Sequence, residues 1–214
     1  MEFLNPNNGF IFRLTHISNL SNILMCGGIH CASSVEHNPN FVSIGRDDII
    51  HKRARTEVPI FPAGMLSDYV PFYFTPLSMM MFNIITGWGI LKRQPDELII
   101  IVSSLPKVKE IGIPFVFTNQ NACSSGVKFY NSLEDLRHIA WELLQRHDFQ
   151  IDHANPYKQL WYQAEALVYE QLPLKAVLGI RCYSNRSNQQ IETLLKQHES
   201  KIPVRTAPNL YFEP

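Results

Sequence analysis

Apolar residues recur along this chain at two spacings. Where they fall at every second position, or in short β-branched runs, they predict strands. From Gly9 to Thr15, Phe10, Phe12 and Leu14 share one face while Arg13 and Thr15 share the other. Asp68 to Thr75 alternates in the same way and is aromatic, and Leu98 to Ser103 and Ile113 to Thr118 read as buried strands. Ala166 to Leu172 is a strand closed by Pro173, and Val177 to Tyr183 is the next. Spacing of three to four predicts helices. One short helix carries Leu20, Ile23 and Leu24 behind an N-cap at Ser18 and stops at Gly27-Gly28. A buried helix runs from Met79 to Ile85, its methionines filling core. The clearest helix spans Ser132 to His147, with Leu133, Leu136, Ile139, Ala140, Leu143 and Leu144 on one stripe. Ile191, Leu194 and Leu195 mark a late helix. Cys31 to Phe41 reads as irregular, and His147 to Tyr162 as a proline-broken loop. The tail from Val204 to Pro214 has no pattern that assigns it. Strands without regular crossover helices predict an α+β domain rather than a doubly wound sheet. The whole chain, 1–214, reads as one domain.

Charge changes this picture little. Nineteen basic residues balance nineteen acidic ones, so no global field draws the chain onto a polyanion, and any such binding needs a local patch. The run from Tyr69 to Leu91 lacks formal charge, but Pro71, Pro76, Gly87 and Gly89 break it, so a strand, a turn and a core helix are expected there rather than a membrane span. Cys26, Cys31, Cys123 and Cys182 form no CxxC pair and no zinc spacing, and the Asn-rich start is unlike a signal peptide. Reduced thiols and a cytoplasmic location are the expectation.

Two features are candidates for chemistry. Glu165 leads the strand that ends at Pro173 and shares a face with Leu167 and Tyr169, so its carboxylate is either solvated at the strand end or held in a cleft. His51, Lys52, Arg53 and Arg55 form the densest basic cluster, either a solvated face or a phosphate clamp. His16 reads as a helix-start hydrogen-bonding group. The chain has no GxGxxG, Walker, HExxH or GxSxG sequence.

Five blocks in order carry a resemblance: Arg13-Leu-Thr-His-Ile-Ser-Asn-Leu20, Lys52-Arg-Ala-Arg-Thr-Glu-Val-Pro59, Asp68-Tyr-Val-Pro-Phe-Tyr-Phe-Thr-Pro76, Ile113-Pro-Phe-Val-Phe-Thr118 and Gln163-Ala-Glu-Ala-Leu-Val-Tyr169. Together they resemble the DarT family of DNA ADP-ribosyltransferase toxins. The resemblance implies an ADP-ribosyltransferase fold, with a split, mostly antiparallel sheet and flanking helices gripping NAD. It implies transfer of ADP-ribose from NAD to a base of single-stranded DNA, without a metal, opposed by an antitoxin that removes the modification. Glu165 corresponds to the catalytic glutamate and Arg53 to the catalytic arginine. Arg13, Leu14, Thr15, His16, Asn22, His30 and Arg53 are the implied NAD contacts. Lys52, Arg55, Asn121, Lys128, Tyr157 and Tyr162 are candidates for contacting DNA through phosphates or stacked bases.

The chain departs from the thymidine-modifying branch at two places. Pro76-Leu77-Ser78-Met79 stands where that branch has an arginine, and Asn119-Gln120-Asn121 where it tends to have a histidine. The target base stays open between thymidine and guanosine. RNA or a protein side chain as acceptor, and a binding module that has lost catalysis, are the competing expectations.

Overall fold

The computed structural model describes residues 1–34 and 40–213; part of the loop expected from Cys31 to Phe41 lies outside the described residues. Its strands are β1 (Phe10–His16), β2 (Gly28–His30), β3 (Tyr69–Tyr73), β4 (Leu98–Ser104), β5 (Phe115–Thr118), β6 (Phe129–Tyr130), β7 (Glu165–Tyr169), β8 (Gln171–Pro173), β9 (Gly179–Cys182) and β10 (Val204–Thr206). Eight of them form one sheet in the order β10-β9-β4-β1-β3-β7-β5-β6, while β2 and β8 pair separately. Every pairing is antiparallel except β9 with β10. With helices on its flanks, this is the α+β architecture the sequence predicts.

The sheet is strong on one side of β1 and weak on the other. β1 pairs with β4 over seven residues, Phe10↔Ser104 through His16↔Leu98, but with β3 at Phe12↔Tyr73 alone. Pro71 sits in the middle of β3 and has no N–H to offer β1. Its carbonyl is taken instead by the Arg13 side chain, Nη1 to O at 2.9 Å. The sheet therefore splits between β1 and β3, bridged by a guanidinium where a backbone ladder would otherwise run.

The main core packs Ile11, Phe12 and Leu14 of β1 against Val70, Phe72 and Phe74, the buried β4 residues, and Ala166 and Val168 of β7. A smaller cluster of Val58, Leu66, Tyr69, Val116, Ala122 and Leu167 covers the opposite face of β5 and β7. Residues 165, 167 and 169 thus face away from the main core, as alternation predicts.

The helices are α1 (Leu20–Met25), α2 (Asp47–Arg53), α3 (Met79–Thr86), α4 (Leu105–Glu110), α5 (Trp141–Arg146), α6 (Lys158–Trp161) and α7 (Asn185–Gln197). α3 starts after Ser78, whose Oγ accepts from Met81 N–H at 3.2 Å, and ends at Gly87 with φ 79°.

Four expectations change. The helix expected from Ser132 to His147 is two pieces, a 3₁₀ segment Leu133–His138 and then α5. The Trp141 indole donates to Leu136 O at 2.7 Å, and Ile139 turns extended with ψ 139°, so the α-helical ladder is interrupted there. The strand expected through Leu172 breaks at Glu170, where φ is 54°, and the chain passes from β7 to β8 in the other sheet. Ser18 does not cap; His16 does, with Nδ1 accepting from Ser18 N–H at 3.3 Å. The unassigned tail becomes β10, and buried Tyr211 follows it, its hydroxyl 2.9 Å from Arg181 O and 3.2 Å from Leu98 O. The uncharged run from Tyr69 to Leu91 folds as β3, a turn and α3, and among the described residues no helix is long and apolar enough to cross a membrane.

Candidate active site

Glu165 opens β7 with its carboxylate almost wholly buried, 2% exposed. It is held from two sides. Arg53, the last residue of α2, donates from Nη1 to Oε2 at 2.7 Å. Ala122, in the loop after β5, donates its backbone N–H to Oε1 at 3.0 Å. The main chain is pinned as well: Glu165 N–H donates to Thr118 Oγ1 at 3.2 Å, and that hydroxyl donates to Gln120 O at 2.7 Å. Two elements distant in sequence thus converge on one carboxylate. A third bond clasps them together, since Lys52 Nζ donates to Cys123 O at 2.8 Å. An ionised carboxylate can accept about four hydrogen bonds, so the two from Arg53 and Ala122 leave lone pairs for a ligand.

Two further polar groups, Arg13 and Tyr73, stand beside this pair. Burial works against the Arg53 charge, but the Glu165 carboxylate outweighs it and holds the guanidinium above its ordinary pKa. Arg13 has no carboxylate; burial, and then repulsion from Arg53, bring it down to about 10, so at neutral pH it stays charged. Tyr73 lies directly across from Glu165 in the β3–β7 register, and burial, with the nearby carboxylate, pushes its phenol well up. Arg53 Nη2 is buried and has no partner among the described residues. A buried donor left unsatisfied costs about 1–3 kcal/mol, a cost that an anion or hydroxyl binding there removes.

The pair forms the floor of a cleft of about 610 Å³. Of the residues singled out in the sequence, Arg13, Leu14, Thr15, Asn22, His30, Arg53, Asn121 and Glu165 line it. His16 does not. Its ring serves the turn at Ser18 and lies 3.7 Å from Glu97, at the end of β1 and outside the cleft. Tyr162 is a core residue, 1% exposed, its hydroxyl donating to Leu77 O at 2.9 Å, and it offers no face to a base. Lys52 is occupied by the Cys123 carbonyl. Arg55 and Lys128 are exposed and outside the lining, and Tyr157, 60% exposed, stacks on Trp161 at 6.3 Å.

Several lining residues escape sequence reasoning. Tyr69, Pro71 and Tyr73 form one face of β3, a face the alternation shows but whose register against Glu165 it does not. Met79, Met80 and Asn83 lie on the cleft side of α3, while Met81, Ile84 and Ile85 fill the core, so the expectation that these methionines are all core holds for one of three. Gln163 lines the cleft two residues before Glu165.

A split, mostly antiparallel sheet with an arginine-held glutamate under a large cleft is the architecture expected of an ADP-ribosyltransferase. The model of the DarT family, described as ssDNA thymidine ADP-ribosyltransferase, matches residues 12–212. A DNA ADP-ribosyl transferase of Escherichia coli O127:H6 is 41% identical over 210 residues, 98% of this chain and 96% of that protein. The structure of Thermus sp. 2.9 DarT in complex with ADP-ribosylated ssDNA superposes with a TM-score of 0.88 at 33% identity, over 97% of this chain and 98% of that one. The same protein in complex with NAD+ gives 0.86 at 31% identity, over 97% and 99%. The chain belongs to the DarT family.

Proposed function

We propose that this chain is a toxin that transfers ADP-ribose from NAD to a base of single-stranded DNA, thymidine being the first candidate. It acts as one domain in the cytoplasm, opposed by an antitoxin that removes the modification. The observation that carries the reading is the Glu165 carboxylate: buried, fixed by Arg53 and by Ala122 N–H, and open to the cleft on its remaining lone pairs.

The cleft fits NAD. Its volume lies in the range of small-molecule sites, the half-buried Arg13 and Arg53 supply positive charge, and Arg53 Nη2 is a donor without an acceptor among the described residues. NAD supplies an activated ribose, whose carbon gains positive character as the nicotinamide bond breaks. Glu165 accepts a ribose hydroxyl and faces that charge, as carboxylates do in glycoside chemistry. Arg53 holds the carboxylate in place and lends its second amino group to the ligand. Its bond to Glu165 keeps it protonated, so Arg53 acts here as a hydrogen-bond donor and has no lone pair to take a proton from the attacking base. Arg13, Leu14 and Thr15, on the β1 side of the split, line the NAD-binding part of the cleft. Asn22 and His30 line it from α1 and β2.

Incubation with labelled NAD and four single-stranded oligonucleotides, each lacking one base, tests this. Label is expected on DNA, absent from the oligonucleotide without thymidine and absent with Glu165→Ala. Loss of label with the guanosine-free strand instead assigns guanosine. Label on protein or RNA alone, or no turnover of NAD, overturns the DNA reading.

A further inference from the structure

The turn that follows α3 is built to hold apolar surface out of the protein. Gly87 and Gly89 both have positive φ, 79° and 66°, conformations that L side chains rarely adopt. The amides of Gly87 and Trp88 both donate to Asn83 O, at 2.8 and 2.9 Å, and Arg93 N–H donates to Ile84 O at 3.1 Å, closing the turn back on the helix. Between these anchors Trp88 is 73% exposed and Leu91 69%. The other tryptophans are engaged: Trp141 is buried with its indole on Leu136 O, and Trp161 stacks on Tyr157. Trp88 has no ring contact or indole hydrogen bond, and the neighbouring exposed Lys92 no acidic partner, among the described residues. The turn adjoins the cleft, because Asn83, which anchors it, and Ile90, which it carries, both line that space.

We propose that this turn is a docking platform for the DNA strand, with Trp88 stacking a nucleobase beside the one modified and Lys92 meeting the adjacent phosphate. The inference rests on the DNA acceptor argued above. A rigid indole and a cation side by side are what single strands use, and each stacked base is sequence-tolerant because every base offers a flat face. The chain has no net charge, so DNA must be captured by such local groups. One ring and one cation are too small to form a stable protein interface on their own.

Steady-state labelling of DNA with varied oligonucleotide tests it. Trp88→Ala is expected to raise KM for DNA about tenfold, with KM for NAD unchanged and kcat at saturating DNA within about twofold. Trp88→Phe recovers most of the loss. Lys92→Ala lowers the slope of log KM against log salt by about one phosphate contact. Tryptophan fluorescence quenched by the oligonucleotide in the wild type is expected to stay unquenched in Trp88→Phe. Unchanged KM for DNA in Trp88→Ala overturns the platform. So does loss of antitoxin binding without any change in DNA kinetics, which makes the turn a protein-docking surface. A wild type that labels no DNA, yet shows quenching that Trp88→Phe abolishes, keeps the platform and fails only the acceptor reading.

Discussion

At the floor of the cleft, Glu165 is buried and Arg53 and Arg13 are charged and half-buried; at its mouth, Trp88 and Leu91 are apolar and exposed. Each region inverts the ordinary distribution of side chains, and the inversions have different costs. Burial of charge is tolerated at the floor because each oxygen of Glu165 has a donor and each arginine at least one acceptor. Such an arrangement is fixed before substrate arrives, as stabilisation of a developing charge requires. Exposure of an indole at the mouth needs no partner, only a turn that cannot collapse, and its gain comes when a ligand covers it. The floor is therefore tied to folding and turnover together, whereas the mouth is free to change capture alone.

The comparison can be broken first at Glu165. Glu165→Gln keeps the shape and one acceptor oxygen but removes the charge that faces the ribose, so DNA labelling should fall about a thousandfold. Stability should fall with it, by about 1–3 kcal/mol, because the new amide nitrogen meets one of the two donors that Glu165 accepts. Arg53→Met takes the other half of the pair and leaves a buried carboxylate without its counter-charge. A loss of about 3–5 kcal/mol is expected in denaturant unfolding, with activity lost as well. Thr118→Val leaves Glu165 N–H without an acceptor in the core, a cost of about 1–3 kcal/mol; a smaller loss would place water at that amide. Lys52→Met opens the clasp between α2 and the loop bearing Ala122. It should lower kcat by about threefold, within the ~0.5–1.5 kcal/mol net contribution of a hydrogen bond, and leave the salt dependence of DNA binding unchanged. A reduced salt slope would instead return Lys52 to the DNA-contacting set.

The smallest effect is pH. Burial is the first cause holding both His16 and His147 below the ordinary histidine range. Below about pH 6.5 the unfolded chain then binds more protons than the folded one, and stability falls as pH falls. The melting temperature should decline from pH 7 to pH 5, and His16→Gln with His147→Gln should flatten that decline.

Much of the fold was legible because burial on both faces leaves continuous apolar runs, as at Leu98 to Ser103, and burial on one face leaves alternation, as around Glu165. The face shared by Glu165, Leu167 and Tyr169 follows from backbone pleat alone. Partners set by tertiary contact were not legible. The break at Trp141 depends on an indole reaching a carbonyl, and that at Glu170 on a positive φ which no sequence rule assigns to glutamate. β10 is three residues long and gains its place by pairing with β9 and by the burial of Tyr211 behind it. At the site, residue types pointed to Glu165 and Arg53 through family resemblance, but only the fold separates Tyr73, which faces the carboxylate, from Tyr162, which belongs to the core. His16 differs for a similar reason: it is adjacent in sequence to Thr15, yet its ring is taken by the Ser18 turn and lies near Glu97.

The pair at the floor joins residues 112 positions apart. As the chain leaves the ribosome, α2 and its arginine emerge long before the strand that begins with Glu165, and the edge strand β10 follows later still. No nascent chain that stops before Glu165 contains both halves of the centre. The centre is thus a late product of synthesis, assembled only when the strand that begins with Glu165 can meet α2.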